Sequence, residues 1–175
     1  MSATTFLRAS VVVFMTAILQ VVLVSSLVVG GGAPDVLLLV VVSLGLLRGS
    51  VAGASAGFAG GVVVDLLTLD TLGVTSLVLT LAGFWAGRYG ETTARGRRVP
   101  PLLAAAVITV LAGVFAFVLR YLLGEDVVAR QALVTSLAPT LLLNMVLALP
   151  VYALVRSAVH ERTDLRSSSE VEVVV

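Results

Sequence analysis

Cysteine and lysine are absent from this chain, and histidine occurs once, at position 160. Without cysteine there is no disulfide framework and no thiol chemistry. A transition-metal site lacks its usual donors as well, and neither a metal nor any other cofactor is expected. Charge is sparse: 12% of the 175 residues are charged, against about 25% in soluble domains. Apolar residues take that place, at 59% of the chain with a mean hydropathy of +1.13. Uncharged runs cover 9–34, 36–47, 49–64, 71–87, 99–119 and 131–155. A helix that crosses a bilayer needs about 20 apolar residues, so the composition points to an integral membrane protein and away from a soluble enzyme core. The first run is too long for the apolar core of a signal peptide and is read as a retained span. No polar connection is long enough for a soluble catalytic or ATP-hydrolysing domain within these residues, and no nucleic-acid partner is expected.

Turn chemistry divides the chain into six helices, at about 6–29, 34–47, 49–67, 71–88, 100–123 and 132–157. The breaks are Gly30 to Pro34, Arg48-Gly49-Ser50, Thr68 to Thr71, Arg95 to Pro101 and Gly124 to Asp126. Six spans put both termini on one side, which then carries nine of the 11 arginines, leaving Arg120 and Arg130 on the other. By the positive-inside rule the first side is cytoplasmic. Fusing 34–64 into one helix gives five spans instead and leaves Arg48 near mid-membrane, at about 2.5–3.5 kcal/mol; the six-helix reading is preferred. It makes the second and third helices a tight hairpin, the second too short to cross alone. Residues 1–157 then form one six-helix membrane domain, and 158–175, serine-rich and mixed in charge, a disordered cytoplasmic tail.

Glycine is placed with regularity. Gly49, Gly53, Gly57 and Gly61 recur every four residues, and the next step lands on Asp65. On a helix such positions share nearly one face. With Gly60 and neighbouring alanines they form a smooth stripe for close helix packing or for a partner helix. Gly83 and Gly87 make a shorter stripe of the same kind. Asp65, at the end of a span, is expected to pair with Arg120 or Arg130 as a structural anchor; Asp35 is expected to cap the second helix. Gln20 and Asn144, deep in spans, are read as amides bonding between helices. Pro139 and Pro150 are expected to bend the sixth helix. Arg88, Arg95, Arg97 and Arg98 form a basic cytoplasmic loop that fixes topology against anionic headgroups. Gly53-Ala54-Ser55-Ala56-Gly57 matches a nucleophile pattern, but that pattern needs a strand-to-helix elbow and a histidine partner; here it lies in a helical stripe. No acid, base and nucleophile converge, so no catalysis is expected.

Taken in order, several of these pieces resemble the MreD family of bacterial membrane proteins. They are Pro34-Asp35, Leu47-Arg48-Gly49, Gly57-Phe58, Gly61, Val64-Asp65, Leu72-Gly73 and Gly83-Phe84-Trp85-Ala86-Gly87. The resemblance implies an all-α polytopic fold of six transmembrane helices, similar to the substrate-binding subunits of energy-coupling-factor vitamin transporters. It implies a non-catalytic scaffold of the cell-wall elongation complex in the bacterial cytoplasmic membrane. An MreC-like bitopic protein is the implied partner, with RodA, its penicillin-binding transpeptidase and, indirectly, MreB nearby. The alternative is a substrate-binding subunit of a small-molecule transporter. Such subunits carry an Ala-x-x-x-Ala-type motif on the first helix; here Ala9 and Ala17 lie eight apart with Val13 between, which lowers that reading.

Overall fold

The computed structural model describes residues 3–26, 31–69, 71–93, 100–124 and 129–159. Among them lie six helices: α1 (Ala3–Ser26), α2 (Val36–Arg48), α3 (Ser50–Thr68), α4 (Val74–Thr93), α5 (Pro100–Leu122) and α6 (Ala129–Val159). No strand occurs in the described residues. Residues 27–29, expected to end the first span, lie outside them. So do Asp70, Arg95, Arg97, Arg98, Glu125, Asp126 and the segment 160–175 with His160. By length and composition Ser50–Thr68, Leu102–Leu122 and Leu137–Val159 can each cross a membrane, and Leu7–Val22 and Val36–Arg48 are shorter apolar stretches.

The shortest helix is the centre of the molecule. α2 touches all five others, which close a ring around it: α1 on α3, α3 on α4, α4 on α5, α5 on α6, and α6 back on α1. The sequence of α2 suits this place. Val-Leu-Leu-Leu-Val-Val-Val-Ser-Leu-Gly-Leu-Leu is apolar on every face, the pattern of a helix covered all round, and Leu37 through Gly45 are all buried. Its one hydroxyl, on Ser43, donates back to the Leu39 carbonyl. The ring helices carry the opposite burden, with Phe14, Phe58, Trp85, Leu111, Val146 and Leu154 facing outward. Apolar surface on that scale belongs against lipid or a partner rather than water.

Thirteen residues make α2 about 20 Å long, well short of the ~30 Å hydrocarbon core. The chain therefore begins α2 inside the bundle. Gly49 alone joins α2 to α3: its N–H bonds the Gly45 carbonyl at 2.8 Å, and its φ of +93° is one that glycine adopts without strain. α6 runs unbroken through Pro139 and Pro150.

Candidate functional site

The glycine stripe is occupied within the chain. α3 and α4 run antiparallel with their backbones in contact, and a Cβ added at Gly53 would strike the Gly83 carbonyl. One at Gly57 would strike the Leu79 carbonyl, one at Gly61 the Ser76 backbone, and one at Gly87 the Ser50 backbone. Each four-residue step up α3 thus meets a step of about four down α4, and the two stripes read separately in the sequence form one seam. Gly60 sits on another face, against Val13 of α1 and Leu37 of α2. Ser55, between Gly53 and Gly57, lies on unbroken helix and returns its hydroxyl to the Ala52 carbonyl.

The seam closes at the turn joining α3 to α4. Asp65 is 1% exposed, and its Oδ2 accepts from the Gly73 N–H at 2.9 Å, the Ser76 N–H at 3.3 Å and the Ser76 hydroxyl at 3.1 Å. Gly73, at φ +98°, turns its amide toward the carboxylate as α4 begins. Oδ1 makes no hydrogen bond among the described residues. The expected pairing with Arg120 gives way to these amide and hydroxyl contacts, because α3 packs on α4, α2 and α1 and does not touch α5, which carries Arg120. The Arg130 side chain lies outside the described residues. What decides the pairing is the start of α4, whose first N–H groups have no helical partner of their own.

A second polar cluster holds the start of α2. Asp35 caps the helix, Oδ1 accepting from the Leu38 N–H at 2.9 Å. Gln20 of α1 accepts from the Val36 N–H at 2.8 Å and the Leu37 N–H at 3.3 Å, and donates to the Pro34 carbonyl at 3.1 Å. Asn144 of α6, fully buried, accepts from the Asp35 N–H at 2.9 Å and donates to the Thr109 hydroxyl of α5 at 3.2 Å. The two mid-span amides therefore serve residues 34–37, where irregular chain passes into α2. Non-helical backbone is tolerated at such depth only when its polar groups are satisfied by protein.

At the opposite end of α2, Arg48 donates to the Val159 carbonyl at the end of α6, where a cation meets the negative end of a helix. Glu91 closes the neighbouring helix start. Gly49 has no side chain to cap α3, and Glu91 Oε1 accepts instead from the Ser50 N–H at 2.8 Å and the Ser50 hydroxyl at 3.0 Å. Glu91 lies on α4 beyond Arg88, outside the apolar stretch. The Ser50 amide first, then its hydroxyl, and to a lesser degree Arg88 hold its carboxyl below the ordinary glutamate range. Arg88 pairs with Glu91 at 3.5 Å on the exposed surface. This contact explains why α4 continues to Thr93 rather than ending at 88. Sequence reading missed it; the signal was a helix N-cap occupied by glycine.

No group of three or more metal-ligating side chains occurs among the described residues. The polar side chains in the three clusters bond helix ends and one another. The molecule is an all-helical membrane protein, and the bonded polar side chains among the described residues serve its own architecture. It belongs to the MreD family: the family model described as rod shape-determining protein MreD matches residues 2–160. The chain is thus a cell-shape-related membrane protein of a structural, shape-determining family. No curated protein and no solved structure matches it.

Proposed function

We propose that this protein is a non-catalytic scaffold that binds an MreC-like bitopic membrane protein within the cell-wall elongation complex. The match to the MreD family over residues 2–160 carries the reading. The way the polar groups are used supports it, since they brace helix termini rather than converge on a reacting centre. RodA, its transpeptidase and, indirectly, MreB are the further partners. In this reading six segments cross the membrane, α2 together with the non-helical chain before it, the Arg48 and Arg88 end faces the cytoplasm with both termini, and the arginine imbalance sets the orientation. The fold is similar to that of energy-coupling-factor substrate-binding subunits, and α6 carries the membrane domain to Val159, two residues past the expected end at 157. The glycines of the α3–α4 seam and Asp65 keep the scaffold in shape. Arg88 with Arg95, Arg97 and Arg98 rests on anionic headgroups.

The test is purification of the tagged protein from its own membranes in a gentle detergent, with identification of what accompanies it. Recovery of an MreC-like protein, alone or with RodA and its transpeptidase, is the expected result. Recovery of ATPase and coupling subunits instead would replace this reading with a transporter.

A further inference from the structure

Between α1 and α3 the ring parts to leave an open groove of about 700 Å3. Phe14 of α1 and Ala52, Ala56 and Ala59 of α3 form its walls, and Leu44 of the central α2 forms part of its floor. Where α2 ends, the lining changes in character. Arg48 lies in it, the one charged side chain among its described walls, along with the hydroxyl residues Ser10 and Ser55. Arg48 uses one N–H on the Val159 carbonyl; a guanidinium carries five, so donors remain for an anion.

We propose that this groove holds one anionic glycerophospholipid, an acyl chain laid between α1 and α3 and its phosphate on Arg48. The volume falls in the range of about 300–1,000 Å3 usual for small-molecule sites. The lining matches such a lipid along its length, apolar where the chain lies and cationic where the headgroup lies. A partner helix is about 10 Å across with its side chains and would need a carboxylate at one level to meet the guanidinium; a lipid brings apolar tail and counter-charge together. Arginine binds phosphate through two parallel N–H bonds, and basic pockets between membrane helices take anionic headgroups. The inference rests on the orientation proposed above only for the leaflet that supplies the lipid.

The experiment counts the phospholipids that stay with the protein through gentle-detergent purification and compares them with the membrane extract. The wild type, Arg48→Gln and the double variant Ser55→Leu/Ala59→Leu are compared. The wild type is expected to keep about one phosphatidylglycerol per chain, enriched about fivefold over its membrane share. Arg48→Gln is expected to lose the enrichment. The double variant is expected to lose the lipid itself with thermal unfolding unchanged, since both positions are exposed; it decides the matter even if Arg48→Gln also loosens α6. Retained lipid that mirrors the membrane composition would overturn the proposal. So would a double variant that keeps its lipid, or a photo-crosslinker at position 59 that captures a polypeptide instead.

Discussion

Asp65 is a carboxylate that, among the described residues, accepts from two amides and a hydroxyl, all on the oxygen that faces the α4 start. Its other oxygen, Oδ1, makes no hydrogen bond among the described residues. Removing the acceptor strands the Gly73 and Ser76 amides, so Asp65→Ala should cost about 1–3 kcal/mol. Asp65→Asn keeps one oxygen for them and should cost distinctly less. Thermal unfolding in detergent measures both, and equal losses would mean that the charge, not the acceptor, matters. At the seam the limit is space. Gly57→Ala sets a methyl against the Leu79 carbonyl, and overpacking of this kind costs about 1–3 kcal/mol. Ala59→Ser, on the exposed side of the same helix, should be neutral; a Gly57→Ala protein as stable as the wild type would mean that the seam is looser than described.

At the scale of the element, α2 and α3 share one problem, a helix start that its own N-cap does not fully satisfy. α2 solves it with Gln20 and Asn144 from other helices. Gln20→Leu leaves the Val36 and Leu37 amides without an acceptor in an apolar surrounding, and a loss of about 1–3 kcal/mol is expected. Asn144→Leu should behave alike, and in the double variant the losses should fall short of additive, because both amides hold the same four-residue segment, 34–37. Full additivity would separate the two into independent sites. α3 solves it with Glu91, whose folded pKa lies below that of an unfolded glutamate. The contribution is then complete above the ordinary glutamate range and is lost as pH falls through the lower folded value. Glu91→Gln should flatten that acid limb of the stability profile, a change that unfolding curves from neutral to acid pH would detect. The carboxylate is exposed and screened, so the effect on the whole molecule is small.

At the scale of the whole molecule, a ring of five around one short helix exposes apolar surface on every side, and a bilayer or partner must cover it. Orientation is testable with little interference, because the chain has no native cysteine. Arg97→Cys is expected to react with an impermeant maleimide only after cells are opened, and Glu125→Cys to react in intact cells. The reverse pattern would invert the proposed topology and place the α1–α3 groove at the other leaflet.

What the sequence determined by itself is local. Apolar run lengths and turn residues located all six helices, the uniformly apolar run 36–47 marked a helix without a wet face, and the four-residue glycine spacing marked a close approach. Those signals depend on neighbours within a turn or two of the chain. The tertiary structure decided everything that depends on which faces meet. It placed the shortest helix at the centre, joined Gly53, Gly57 and Gly61 to α4 rather than to a partner, and gave Asp65 to the Gly73 turn instead of Arg120. It also brought Glu91 to a helix start 41 residues earlier in the chain. In lipid every outer face is apolar, so hydrophobicity does not sort one helix pairing from another. Backbone fit and the demand of each buried N–H for an acceptor do, and both depend on residues far apart in the sequence.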